Sequence, residues 1–133
     1  MIVRPLTEYD YDTLCKWWID WGWNPIPKGF LPQNGEGGLM VMEDEIPIVA
    51  GFLYVTNSEL AWLEFIISNK NYNNKEIRKK SINLLIETLT NMAKQNGFKY
   101  IYTILKNDSL IKAYETVGYV KGSTGTEMIK KLC

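Results

Sequence analysis

Apolar residues change their spacing several times along the chain, and each change marks an element. Residues 2–4 are a short apolar segment ended by Pro5, and Thr7 followed by Glu8 and Asp10 supplies an N-cap with early acids. Leu14, Trp17, Trp18 and Trp21 then recur at helical spacing, which predicts a helix to about Asp20. Gly22, Pro25, Pro27 and Pro32 break the pattern and predict a long loop to Gly38. Segments 39–42, 48–55 and 60–68 read as strands joined by turn-forming residues, an antiparallel meander. From residue 76 to 95, Ile77, Ser81, Leu84, Leu85, Leu89 and Met92 share one face of a helix, with Gly97 as its stop. Segment 99–105 is a further predicted strand, 109–116 a short helix ended at Gly118, and 126–132 a last strand. The order β-α-β-β-β-α-β-α-β is that of an α/β protein of the α+β kind. It implies a mixed, mostly antiparallel central sheet flanked by helices.

The 133 residues, 46% of them hydrophobic, suffice for one core, so a single domain spanning 1–133 is expected. Lys+Arg and Asp+Glu both number 15, which leaves no overall pull toward nucleic acid or an anionic membrane. The chain has no histidine, which excludes His-based triads and His-ligated metals and leaves proton transfer to Glu, Asp, Tyr, Cys, the substrate or water. Cys15 and Cys133 lie in no metal or redox spacing and read as reduced thiols. With no apolar stretch near the roughly 20 residues of a membrane span, a soluble cytoplasmic protein is expected.

The sharpest local pattern is Lys106-Asn107-Asp108-Ser109-Leu110-Ile111-Lys112-Ala113-Tyr114-Glu115-Thr116-Val117-Gly118-Tyr119. Seven residues are two helical turns, so Asn107 and Tyr114 fall on one side and can face one cleft. The plainer reading is that Asn107 caps its helix and Tyr114 packs against the sheet. The Asn, the Tyr and the closing Gly-aromatic pair resemble the signature of the GNAT acetyltransferase superfamily, and the element order agrees along nearly the whole chain. The resemblance implies acetyl-CoA as co-substrate, with Asn107 contacting it and Tyr114 protonating the departing thiolate.

Strand alternation over 61–68 places Trp62, Glu64, Ile66 and Ser68 on one face, so a carboxylate sits within an apolar strand. By the resemblance, Glu64 would take the acceptor amine's proton. The main chain of Ile66, Ile67 and Ser68 would pair with the pantetheine arm and polarise the thioester carbonyl.

The same resemblance puts the pyrophosphate at the start of the next helix, over Asn73, Asn74, Lys75, Glu76, Ile77, Arg78 and Lys79. There the sequence departs from the family, because Asn74, Glu76 and Arg78 stand where glycines are common. Asn73-x-x-Glu76 reads as a capping box that would occupy the amides an anion needs. Lys75, Arg78, Lys79 and Lys80, opposed only by Glu76, offer charge in their place.

Four of the five tryptophans fall between Trp17 and Trp23. Trp17 and Trp21 read as core, whereas Trp18, Trp23 and Phe30 are candidates for the wall of an acceptor pocket. The implied activity is transfer of acetyl from acetyl-CoA to a primary amine, on a small molecule or a protein, in a ternary complex and without a metal. The alternative is a GNAT-shaped adaptor or inhibitor module that has lost turnover and binds through the Trp-rich face. Folds of this kind often form homodimers.

Overall fold

The computed structural model describes residues Met1–Cys133 and contains one five-stranded sheet in the spatial order of the chain. The strands are β1 (Ile2–Pro5), β2 (Gly38–Glu43), β3 (Ile46–Tyr54), β4 (Leu60–Ser68) and β5 (Tyr100–Tyr102). Neighbours β1 to β4 pair antiparallel, and β5 joins β4 in parallel. The helices are α1 (Tyr11–Asp20), α2 (Lys75–Gln95) and α3 (Asp108–Thr116). No helix is long and apolar enough to cross a membrane.

Each face of the sheet carries its own apolar layer, as two-sided burial requires. On one face Leu39, Val41, Val49, Leu53, Ala61 and Leu63 meet Leu85, Ile86, Leu89 and Ala93 of α2 and Tyr114 of α3. On the other, Met40, Ala50, Phe52 and Ile67 meet Leu14, Trp17 and Trp18 of α1, with Leu6 and Leu31. Gly51 sits under α2, where an added Cβ would lie 3.0 Å from Ile66 Cγ1 and 3.1 Å from Leu85 Cδ2.

Helix α1 starts at Tyr11 rather than just after Thr7. The Asp10 carboxylate is the reason: it accepts from the Thr7 N–H (2.7 Å) and from Nη1 and Nη2 of Arg4 (2.8 and 2.9 Å), holding residues 7–10 in a turn. Two short 3-10 turns, Lys28–Phe30 and Pro32–Gly35, interrupt the predicted loop. The expected last strand is absent. No residue from 119 to 133 is in a helix, strand or turn, and none from 120 onward hydrogen-bonds to the body.

Candidate active site

The site begins with a fault in the sheet. Between β3 and β4 the pairing runs Ala50↔Ile67 and then Phe52↔Glu64, so β4 carries an extra residue. Phe65 takes it up with a φ of 56°, the left-handed region that a bulky side chain seldom enters. This bulge overturns the expected alternation: Ile66 packs on the α2 side, whereas Phe65 and Ile67 pack on the α1 side. Ile66 therefore does not share a face with Trp62 and Glu64.

Pairing of β4 with β5 stops at Trp62↔Tyr102, so the stretch from Leu63 to Ser68 has no strand along its outer edge. Glu64 reaches into this parting, where its Oε1 accepts from the N–H of Ile104 at 2.9 Å. Burial raises its pKa foremost. The amides of Ile104 and Phe65 oppose that, and the Glu127 charge adds to it.

Tyr114 belongs to the core, with only 2% of its surface exposed, and its ring meets that of Tyr119 edge-on at 4.9 Å. Its hydroxyl nevertheless has no hydrogen-bond partner, and neither does the buried hydroxyl of Thr103. Burial pushes the phenol's pKa up; the nearby Thr103 hydroxyl works against this, and the Tyr119 and Glu64 charges add to it. Unpaired buried hydroxyls are costly, and two together beside a raised carboxylate mark a polar spot inside an apolar layer. Asn107 stands apart from them. It is exposed, and its Oδ1 accepts from the Leu110 N–H at 3.1 Å, so the two motif residues do not line one open cleft.

At the start of α2 the cap is Asn74, whose Oδ1 accepts from the Ile77 N–H at 3.1 Å. The expected Asn73–Glu76 capping box does not form. The amides of Lys75 and Glu76 keep no protein acceptor, and Lys75, Lys79 and Lys80 are exposed around them. Arg78 is engaged otherwise: its Nη1 donates to the carbonyl oxygens of Asn69 (3.4 Å), Lys70 (3.1 Å) and Tyr72 (3.2 Å), clamping the loop that precedes the helix.

On the α1 side, Tyr54, Trp62 and Tyr102 are consecutive cross-strand partners and form an aromatic row over β3, β4 and β5. Trp62 and Tyr102 meet edge-on at 5.1 Å, and Phe65 packs against Tyr54 at 6.2 Å. Tyr102 is 58% exposed. Glu64 adjoins the row closely enough to raise the pKa of Tyr54, after burial. No protein cation is paired with Glu64 or stacked on these rings.

The Trp-rich segment divides differently from expectation. Trp18 is core, at 3% exposure, and walls no pocket. Trp23 and Phe30 are exposed. Trp23 stacks on Trp21 at 6.1 Å, and Trp21 is tied down by its indole N–H to the Ser68 carbonyl at 2.8 Å. Phe30 is held near the row by its carbonyl, which accepts from Tyr54 Oη at 2.6 Å. Sequence reasoning missed Tyr54 and Tyr102, which strand register brings alongside Trp62 next to Glu64, and Thr103, which lies by Tyr114. Nowhere do three or more Asp, Glu or Cys side chains converge as a metal would require.

No family model and no curated protein matches the sequence. Solved structures do match. A wild-type Thermus thermophilus protein superposes with a TM-score of 0.71 at 19% identity, covering 100% of this chain and 98% of its own. The ribosomal-protein-alanine N-acetyltransferase of Brucella melitensis gives 0.65 at 14%, covering 89% and 83%. The aminoglycoside antibiotic 6′-N-acetyltransferase of Acinetobacter haemolyticus gives 0.59 at 15%, covering 100% of both. At these identities the likeness is one of fold.

Proposed function

On the fold of the GNAT acetyltransferases, which this chain shares, we propose that it is an N-acetyltransferase moving acetyl from acetyl-CoA to a primary amine by direct attack in a ternary complex. The observation that carries the reading is the pair of unpartnered hydroxyls, Tyr114 and Thr103, beside Glu64 where β4 and β5 part. A polar group bound there would satisfy atoms that the apolar layer leaves unpaired.

Acetyl-CoA supplies the acyl group. The unpaired outer edge of β4 from Leu63 to Ser68 offers main-chain donors to its pantetheine and thioester carbonyl. The Lys75 and Glu76 amides, with the lysines around them, face its phosphates. The amine nitrogen attacks the carbonyl carbon, its proton passes to Glu64 directly or through water, and the C–S bond breaks as Tyr114 protonates sulfur. The aromatic row of Tyr54, Trp62 and Tyr102, free of protein cations, suits an acceptor that carries a second positive charge.

Titration calorimetry with acetyl-CoA and free CoA, followed by thiol release with a panel of mono- and polyamines, tests the reading. Micromolar binding and amine-dependent thiol release are expected, and absence of binding at millimolar concentration overturns it. Binding without release across the panel would instead favour the adaptor module, to which the exposed Trp23 and its stacked partner Trp21 give a surface.

A further inference from the structure

Two of the chain's aromatic rings are covered by its own lysines: Lys28 Nζ lies 5.1 Å from the centre of the Tyr11 ring, and Lys70 Nζ 5.3 Å from that of Trp21. The row of Tyr54, Trp62 and Tyr102 has no such cation, and the half-buried Glu64 beside it has no ion-pair partner. Trp62 and Tyr102 stand at 89° to one another with centres 5.1 Å apart, like two walls of a box. Rings and a desolvated carboxylate that lack a cation of the protein's own are complementary to one brought by a ligand.

Register fixes how these groups stand to each other. Tyr54 pairs with Trp62 and Trp62 with Tyr102, so the row crosses three strands and spans roughly 10 Å at the usual strand spacing. Glu64 pairs with Phe52 and precedes the bulge at Phe65, so it leaves the sheet on the same face as Trp62. Residues two apart on a strand are about 7 Å apart, and side chains rising from one face keep that spacing. Pairing of β4 with β5 ends at Trp62↔Tyr102, so Glu64 stands at the gap and the rings stand on closed sheet behind it. Tyr102, 58% exposed, leaves the row open to solvent.

We propose that Glu64 and the row form a two-cation subsite for a linear aliphatic diamine, and that this diamine is the acceptor. Its nitrogens stand about 7 Å apart, the reach of roughly four or five methylenes, with one at Glu64 and the other over the rings of Trp62 and Tyr102. The acetylation rests on the acetyl-transfer reading; the binding does not. The nitrogen at Glu64 reacts as the neutral amine: its N–C bond forms, the C–S bond breaks, and one proton leaves nitrogen for Glu64 as Tyr114 gives one to sulfur. The other nitrogen keeps its charge throughout. The product carries an uncharged amide at one end, and turned round it would set that amide where the rings favour a cation. One acetyl group per diamine follows.

Calorimetry with α,ω-diamines from ethylenediamine to octamethylenediamine, each beside the linear monoamine of equal length, reads binding with and without free CoA. Thiol release from acetyl-CoA with the same series reads turnover, and mass spectrometry reads the product. Diaminobutane or diaminopentane is expected to be preferred at least about tenfold over its monoamine, in Kd and in kcat/KM, and to gain a single acetyl group. Tyr102→Leu, at an exposed position, should cut that preference about fivefold, whereas Tyr102→Phe keeps the ring and should retain it. Circular dichroism checks that both variants fold. Diamine binding with this optimum but no thiol release from any amine would overturn acetyl transfer and support the subsite. Equal binding of diamine and monoamine, no optimum in chain length, or a preference untouched by Tyr102→Leu would each overturn the subsite.

Discussion

Glu64 Oε1 accepts a 2.9 Å hydrogen bond from the backbone N–H of Ile104, across the gap where β4 and β5 cease to pair. The bond ties β4 to the segment just past β5 by a side chain in place of a ladder, and it holds a half-buried carboxylate whose pKa burial has raised. A carboxyl group so raised binds its proton more tightly in the folded chain than in the unfolded one. Its ionisation therefore subtracts stability as pH climbs from the usual carboxylate range through the raised value. Glu64→Gln keeps an oxygen for Ile104 and removes the charge. Thermal melts of the two proteins should coincide at low pH and separate in favour of the variant as pH rises through that window. Amine-dependent turnover should fall about a hundredfold. Melts that diverge in the opposite sense would remove the desolvated carboxylate from the account.

Tyr114→Phe deletes a hydroxyl that has no partner. Such a deletion is expected to leave the melting temperature unchanged or slightly raised, because no hydrogen bond is lost and a desolvated polar atom disappears. Turnover should fall about a hundredfold at the same time. An unimpaired rate would reduce Tyr114 to a packing residue.

Arg78→Ala frees the carbonyls of Asn69, Lys70 and Tyr72 from their clamp. The loop before α2 loosens, and KM for acetyl-CoA should rise about tenfold with kcat little altered, the pattern of lost ground-state binding. A double change of Lys79 and Lys80 to Ala should instead flatten the salt dependence of that KM. Equal effects from both variants would show that Arg78 acts through its charge alone.

The pKa of the Asp10 carboxylate is lowered, first because of its hydrogen bonds with Arg4. Its stabilising effect is present above the unfolded value and is lost as pH falls through the lowered one. Asp10→Asn should cost about 2 kcal/mol at neutral pH. Urea titrations should then find the two proteins converging in acid, and a constant difference down to pH 2 would rule out the pair as the source.

Periodicity located every helix and the first five strands to within a few residues, since each pattern reflects a face that must be buried. It misplaced the start of α1 because the Asp10 carboxylate accepts from Thr7 and from Arg4, which holds residues 7–10 in a turn ahead of the helix. The last strand failed for a related reason. A strand-former needs a partner as well as a composition, and residues 126–132 have none within their own chain. At the site, Glu64 was legible as a carboxylate within an apolar strand, and Tyr114 through the pattern that resembles the GNAT signature. Their neighbours were not: register joins Trp62 to Tyr54 and Tyr102, and the bulge at Phe65 sends Ile66 to the opposite face.

The tightness around Gly51 reaches beyond the folded state of this one sequence. A methyl there would press on Ile66 and Leu85 at once, so divergence at position 51 is tied to theirs. Descendants that acquire alanine at 51 should carry valine or another smaller side chain at 66 or 85 in the same genome. The sheet, the bulge and the second helix would then drift as a covarying unit, and paired replacement at these positions would be its record.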